Sequence, residues 1–376
     1  MTKTSLFVPA IGPVLGRYWK NQKSWKDHDL KWFSDKSFFK HPISLVSSYF
    51  EVNREPEYRK TIQYPEKSIL ISDSGGFQVA SFRRRGIPCK ITPVDILRWQ
   101  ERNADIGMNL DIPLDQYSSF GFQTCLDQSI ENFQIFQDNR QNYNFKLYNI
   151  LHGRNPGEIK IWFEAARKFC FDGWAIGVKG LPYQHIYAYM WLHEHDALNL
   201  HDNCHIFGVG GLHNMISLAM LSKYFDTNLT FDSSSWAMGS RTRRFYFPND
   251  CRFYTEFRRN STTNLLDVPC KCPVCQNVTI QDYYIQSNGI IPLLLSLHNL
   301  YQYIEINSMI NIFVQDNDAF ESFIKSRNEE LLIQNIQKMF ESYERGGCRL
   351  VENKHKDLVN PPLKSDIADK NLFRYI

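Results

Sequence analysis

The sequence has no run of the roughly 20 apolar residues that a membrane-spanning helix needs. Its longest apolar stretch, around Ile290 to Leu297, is broken by Pro292 and Ser296. No membrane association is therefore expected. The segment Met1 to Lys20 has an apolar patch from Leu6 to Ala10 but no charged, apolar and small-residue succession of a cleavable signal. A cytoplasmic location, in a bacterial or phage-infected host cell, is the expectation. Neither sign of charge dominates: 43 Lys plus Arg against 40 Asp plus Glu gives +3, too little by itself to signal a nucleic-acid partner. Nine cysteines form an odd set in a chain without a secretory signal, which argues against a disulfide framework. No G-x-G-x-x-G follows the first apolar strand, and this weakens a doubly wound dinucleotide-binding sheet.

What is there is a chain of 376 residues, 43% hydrophobic and 22% charged, enough to bury one large core with attachments, or two. Short apolar runs rich in Ile, Val and Leu alternate with longer helical patterns, as repeated β-α units do. Eight strands are expected, near Leu6–Ala10, Ile43–Phe50, Ser68–Asp73, Asp105–Asp111, Phe145–Leu151, Gly173–Val178, Cys204–Val209 and Asn228–Asp232. Helices are expected over Pro93–Asn103, with Thr92 as N-cap, and Pro156–Phe171, with Asn155 as N-cap; in both, Pro takes the first helical position. The fold class is α/β, a closed (β/α)8 TIM barrel carrying a zinc-binding subdomain and C-terminal helices. The boundaries are set at 1–250 for the catalytic barrel, 251–310 for the zinc-binding subdomain and closing helix, and 311–376 for the terminal helices and tail.

In such barrels chemistry sits where strands end. Here those ends read D-S-G-G-F-Q (73–78), L-D-I-P-L-D (110–115), L-H-G (151–153), G-V-K-G (177–180), G-V-G-G (208–211) and F-D-S-S-S-W (231–236). Asp73, Asp111 and Asp232 thus each follow an apolar strand. One such Asp can be a helix cap; three at one barrel mouth can divide the work of nucleophile, general acid/base and substrate recognition. Cys270, Cys272 and Cys275 stand as C-K-C-P-V-C, with His298 on a following helix, the donor set of a tetrahedral, structural Zn2+ site. Arg241, Arg243 and Arg244, with Arg83–Arg85 and Arg258–Arg259, read as solvated surface or, if brought together, as a phosphate-binding face.

Taken in order, these motifs resemble the tRNA-guanine transglycosylase superfamily, over roughly residues 5 to 310, and look closer to its archaeal than to its bacterial branch. The resemblance implies base exchange: a guanine within a polynucleotide is cut from its sugar and replaced by a free 7-deazaguanine base. It implies Asp232 as the nucleophile toward C1′, Asp73 as general acid/base, and Asp111 as the carboxylate that reads the guanine edge. Ser74, Gln78 and the backbone from Gly177 to Gly180 complete the base pocket, and Phe77 and Phe207 take the places of the two rings that sandwich the base. Arg241, Arg243 and Arg244 suit the nucleic-acid groove.

The sequence departs from the family at 151–153, where L-H-G replaces V-Q-G, so that His152 stands for the glutamine that reads the incoming heterocycle. Full-length archaeal members add C-terminal RNA-binding domains, whereas helices near Ser308–Ser326 and Glu329–Arg345 and a polar tail follow here. On that ground the chain resembles most the 7-deazaguanine DNA transglycosylase branch, with DNA as polynucleotide and a preQ0-type base as cosubstrate. The alternatives are a tRNA-guanine transglycosylase of the queuosine or archaeosine pathways, a catalytically silent zinc scaffold partnering an active subunit, and a sugar-hydrolysing barrel. A homodimer or partner modification proteins are compatible with each.

Overall fold

In a computed structural model the chain is described over residues 3–12, 15, 19, 24–114, 121–178, 182–198, 204–242, 244–246, 253–254, 270–278, 282–283 and 293–361. Strands Ser5–Ile11 (β1), Ile43–Ser47 (β2), Ile69–Asp73 (β3), Ile106–Met108 (β4), Lys146–Leu151 (β5), Gly173–Ile176 (β6), Cys204–Ile206 (β7) and Leu229–Ser233 (β8) close a parallel barrel in chain order. Closure falls at β1, which pairs with β8 from Ser5↔Leu229 to Pro9↔Ser233 and with β2 at Ala10↔Leu45 and Ile11↔Val46. β5 is buried from Leu147 to Leu151 and β6 along its whole length. Apolar character on both faces is what a parallel strand between a barrel interior and a layer of helices requires.

Each of the eight expected strands is present, and the differences lie at the ends that face the site. β4 leaves the sheet after Met108, where Asn109 N–H still donates to Tyr148 O (3.1 Å) but Ile112 N–H turns to Ser129 Oγ (2.8 Å). That exit carries Asp111 over the barrel mouth. β7 stops at Ile206, and β2 runs directly into the short helix Ser48–Glu51.

The N-caps behave as their residues dictate. Thr92 Oγ1 accepts from Asp95 N–H (3.2 Å) while the Asp95 carboxylate accepts from Thr92 N–H (2.9 Å), a reciprocal capping box ahead of helix Pro93–Asn103. Asn155 Oδ1 accepts from Glu158 N–H (3.0 Å) ahead of helix Pro156–Ala166. That helix ends before the expected Phe171, because the chain turns back to bring the Asp172 carboxylate to Leu147 N–H (2.8 Å) and the Arg140 guanidinium (2.7 Å) at the foot of β5.

The C-terminal helices differ more from their sequence reading. Helix Leu293–Phe313 begins 15 residues before the expected Ser308. Its first turns are buried almost all round and so show no amphipathic stripe. A new helix, Asn317–Arg327, starts where Asp316 accepts from Asp318 and Ala319 N–H. The last long helix, Glu330–Lys354, is broken at Gly346–Gly347, so its first half ends near the expected Arg345. In place of the polar tail expected after Arg345, the chain continues as helix to Lys354 and again over Lys356–Val359, with Cys348, Val351 and Val359 buried; residues 362–376 lie outside the described residues. Among the described residues no helix is long and apolar enough to cross a membrane.

Helix Leu293–Phe313 ties the two ends of the barrel together. Near its start Asn299 accepts from Tyr246 N–H (3.0 Å) and donates to Trp236 O (3.2 Å) and Arg244 O (3.0 Å), beyond the C-terminal end of β8. Three turns on, Asn311 Oδ1 accepts from Ser5 N–H (2.9 Å), and Asn307 and Asn311 both donate to Ser5 O (2.7 and 2.8 Å), at the foot of β1. These groups are buried, so each bond also prevents the penalty of an unsatisfied peptide group. Asn311→Ala should therefore lower unfolding stability by about 1–3 kcal/mol, read as a shift of the denaturant midpoint with unchanged slope.

Candidate active site

The C-terminal ends of β3, β4, β5, β7 and β8 carry Asp73, Asp111, His152, Phe207 and Asp232. Parallel strands in register lift all five to the same end of the barrel, although they are as far as 159 residues apart in sequence, from position 73 to position 232. Asp73 feels the other two carboxylates. The Asp73 carboxyl is pushed up from 3.8 to about 7, first by burial, then by the negative charges of Asp111 and, more weakly, Asp232. Gly75 N–H, 3.2 Å from Asp73 Oδ1, opposes that rise without cancelling it.

Asp111 is buried and engaged on both oxygens. Oδ1 accepts from the buried Ser74 hydroxyl (3.3 Å), and Oδ2 lies 2.6 Å from His152 Nε2. His152 Nδ1 lies 2.9 Å from Gly177 O, which can only accept, so Nδ1 carries a proton. A further proton must then lie between Nε2 and Oδ2, since two lone pairs would otherwise face each other at 2.6 Å. Two glycines make room for this pair. A Cβ at Gly76 would collide with Asp111, and a Cβ at Gly177 would collide with the His152 ring. The ring is also held edge-on against Trp162, centroids 4.9 Å apart.

Asp232 is partly accessible, and its Oδ1 accepts from Gly208 N–H (2.8 Å). The same oxygen lies 3.4 Å from Nε2 of His205, a fully buried residue of β7. The sequence reading passed over His205, because an isolated His within the apolar run C-H-I-F looks like core. Its signal was the parallel register, which pairs His205 with Thr230, two residues before Asp232 and on the same face of β8.

The other expected pocket residues are distributed as follows. Ser74 and Gly177 touch the Asp111–His152 pair directly, as described. Phe77 and Gln78 lie half-buried on helix Gly76–Arg84, immediately after Asp73; the Gln78 side-chain oxygen is buried without a hydrogen-bond partner among the described residues. Phe207 is half-buried at the end of β7 with its ring edge-on to His205 (4.7 Å). Arg241, the last residue of helix Ser235–Arg241, and Arg244 just beyond it are exposed where the chain leaves β8. Gly180, Arg243 and the Arg258–Arg259 pair lie outside the described residues.

Cys270, Cys272, Cys275 and His298 bring one donor atom each within 4.8 Å of the others. The three Sγ atoms stand 3.9, 3.3 and 3.2 Å from His298 Nδ1, close to the edge lengths of a tetrahedron built on metal–sulfur bonds of about 2.3 Å and metal–nitrogen bonds of about 2.0 Å. The surroundings complete the ligand set. His298 Nε2–H donates to Tyr246 O (2.7 Å), which presents Nδ1 as the free lone pair, and Phe245 stacks on the ring at 3.7 Å. Gln302 donates to Cys270 Sγ (3.6 Å), and Cys275 Sγ lies 3.0 Å from the Tyr283 hydroxyl. Three thiols so close cannot all ionise alone: Cys270 is held low by hydrogen bonds from Cys272 and Cys275, and these two are pushed up. A divalent cation removes that conflict, so the residues fit a metal. Among the described residues the remaining cysteines, including buried Cys125, Cys204 and Cys348 and exposed Cys170, form no disulfide.

The fold and its mouth define a (β/α)8 barrel with a carboxylate-lined site and a separate Cys3His cluster. The chain belongs to the queuine tRNA-ribosyltransferase family, whose sequence profile matches residues 43–331. Among curated relatives it is 26% identical over 301 residues to the tRNA-guanine(15) transglycosylase of Methanococcus aeolicus, covering 74% of this chain and 43% of that protein. It is 25% identical over 332 residues to the Saccharolobus solfataricus protein of the same name, covering 84% of this chain and 61% of that one. With the Methanococcus vannielii relative the figures are 27% over 267 residues, 68% and 38%. The chain thus spans about two fifths to three fifths of the length of these relatives.

The raised carboxyl of Asp73 has a stability signature. Its value in the folded chain, about 7, lies above the ordinary 3.8, so between those values the folded chain keeps a proton that the unfolded chain has lost. Stability contributed by this site therefore falls as pH rises through that window, and the full penalty is present above about pH 7. Asp73→Asn should raise the melting temperature at pH 8 and leave it unchanged at pH 4, measured by calorimetry across that range. Equal shifts at both pH values would mean that the carboxyl is not held protonated.

Proposed function

We propose that this protein is a base-exchange transglycosylase that replaces a guanine within a polynucleotide by a free 7-deazaguanine base through a covalent aspartyl–sugar intermediate. The observation that carries the reading is the unequal treatment of three carboxylates at one barrel mouth. Asp111 is paired with His152, Asp232 is partly open and held by a backbone N–H, and Asp73 is pushed to about 7.

Each treatment suits one role. The free oxygen of Asp232 attacks C1′, the C1′–N9 bond breaks, and its electron pair leaves with the guanine. Asp73, close to half-protonated at neutral pH, gives its proton to the departing base and takes one from the incoming base, which then displaces Asp232 from C1′. The site returns to its starting state with no net oxidation and no energy source. Asp111 has lone pairs beyond those used by Ser74 and His152, enough to accept the two N–H donors of a guanine edge. Phe77 and Phe207 supply flat faces for a base that has left its stack, and Arg241 and Arg244 supply charge for the backbone that carries it.

The relatives named for tRNA support tRNA as the polynucleotide ahead of DNA, which the sequence reading had placed first. The metal reading is Zn2+ in a structural role. The four protein donors leave no open position for substrate, and through His298 and Asn299 the cluster fixes the chain that follows β8.

Two experiments test these assignments. Purified protein should incorporate labelled guanine or 7-cyano-7-deazaguanine into unmodified tRNA, and Asp232→Asn should lower incorporation by more than ~10³-fold with the fold intact. Label appearing in duplex or single-stranded DNA but not in tRNA would move the protein to DNA modification. Label in none of them would leave the silent scaffold. Separately, Cys272→Ser should reduce bound zinc per chain, measured by elemental analysis, and lower the melting temperature. A variant with full zinc content and unchanged melting would remove the structural role from the cluster.

A further inference from the structure

We infer that His205 is a positioning residue for the nucleophile: its buried Nε2, 3.4 Å from Asp232 Oδ1 and without a hydrogen bond among the described residues, closes on that oxygen when substrate seats and, with Gly208 N–H, holds it so that Oδ2 is the one left to attack. This rests on the function proposed above and adds a group that no sequence motif indicated.

The inference starts from proton counting around a buried ring. His205 is fully buried on β7, and its Nε2 makes no hydrogen bond among the described residues; the Asp232 carboxylate lies 3.4 Å away, a charge contact rather than a formed hydrogen bond. Its other nitrogen, Nδ1, lies 2.9 Å from Thr230 Oγ1. The Thr230 hydroxyl has one proton and two directions in which to donate it, toward Nδ1 at 2.9 Å or toward Cys204 O at 3.3 Å.

In the first arrangement Nδ1 accepts, the ring proton sits on Nε2, and it faces the carboxylate. In the second a neutral ring would carry its proton on Nδ1 and oppose a bare Nε2 lone pair to a carboxylate oxygen inside a buried wall. The first has the shorter contact and no repulsion. A doubly protonated ring also donates from Nε2, so both acceptable states agree on the proton that faces Asp232.

Two donors on one carboxylate oxygen have a chemical consequence. Gly208 N–H is 2.8 Å from Oδ1 and approaches from the turn after β7, whereas His205 approaches from within the strand. Rotation of the carboxylate about its Cβ–Cγ bond would break the Gly208 bond and carry Oδ1 away from His205, so the plane is fixed and Oδ2, unbonded among the described residues, keeps its lone pairs for C1′. A contact of 3.4 Å is long for a resting hydrogen bond, as catalytic contacts often are before substrate seats. The same ring stands edge-on to Phe207, one of the two residues assigned to the base. His205 thus links the nucleophile to a wall of the base pocket, and the two roles separate in kinetics.

The test uses the intact protein and two variants. His205→Phe keeps an aromatic ring against Phe207 and removes the donor, while His205→Gln restores an N–H at nearly the same reach. Expected is a fall in kcat of roughly 100-fold for His205→Phe with KM for the base and melting temperature nearly unchanged, and recovery of most of that loss in His205→Gln. A raised KM with normal kcat would place His205 behind Phe207 only, and equal impairment in both variants would make its role one of packing; either result overturns the inference.

A second measurement does not depend on turnover. Nitrogen-15 NMR of ring-labelled histidine should show His205 protonated at Nε2, with that resonance moving in Asp232→Asn. A bare Nε2 would overturn the contact. If the wild-type protein performed no exchange while Nε2 proved protonated and sensitive to Asp232, the proposed function would fail and the Asp232–His205 contact would stand.

Discussion

Three carboxylates share one barrel mouth, and the burial of Asp73 beside two neighbouring negative charges is the constraint to which the surrounding structure answers. Like charges in such a space cannot all be ionised without partners. Asp111 is joined to His152 by a shared proton. Asp232 has Gly208 N–H and the buried His205. Asp73 is given only the N–H groups of its own turn, and its carboxyl is pushed to about 7. Chemically identical side chains thus meet three different surroundings: one a histidine at hydrogen-bond distance, one a backbone N–H with a histidine further off, and one only its own turn. A carboxyl raised by its environment beside others that are not is the pattern found where acid and base work is shared between carboxylates.

That arrangement is only as good as the scaffold that holds it. The strand ends are fixed by the closed parallel barrel, and the closure at β1 and β8 is backed by helix Leu293–Phe313. Asparagines near both ends of this helix satisfy buried peptide groups at opposite ends of the barrel. His298, on the same helix, faces the cysteine cluster through Nδ1 and Tyr246 O through Nε2. A metal held there would stiffen the segment that follows β8. The metal-ligand candidate His298 and the asparagines that back the β1–β8 closure thus lie on one helix.

Much of this was legible before the fold was seen. The eight apolar runs were found because parallel strands buried on both faces leave a strong local signal, and the caps at Thr92 and Asn155 because capping is a contact between residues three apart. Asp73, Asp111 and Asp232 were legible from their places after those runs, and C-K-C-P-V-C from the chemistry of sulfur donors. Less legible were the strand ends at the mouth, where β4 and β7 leave the sheet early to present side chains. The start of helix Leu293–Phe313 was also hidden, since burial on all sides erases the periodicity by which helices are recognised. His205 left no trace in the sequence, since a single histidine in an apolar strand reads as core until the neighbouring strand is known.

The sequence by itself thus determined the alternation of strands and helices, the sites of the three acids and the metal donor set, because each of these depends on residues close together along the chain. Which acid is paired, which is raised and which is aimed was decided only in the tertiary structure. His152 reaches Asp111 from 41 residues away, and His205 meets Asp232 across a strand pair whose register no local pattern encodes. Electrostatics acts through space over a few ångströms and takes no account of distance along the chain. The fold was needed before three identical side chains could become three different groups.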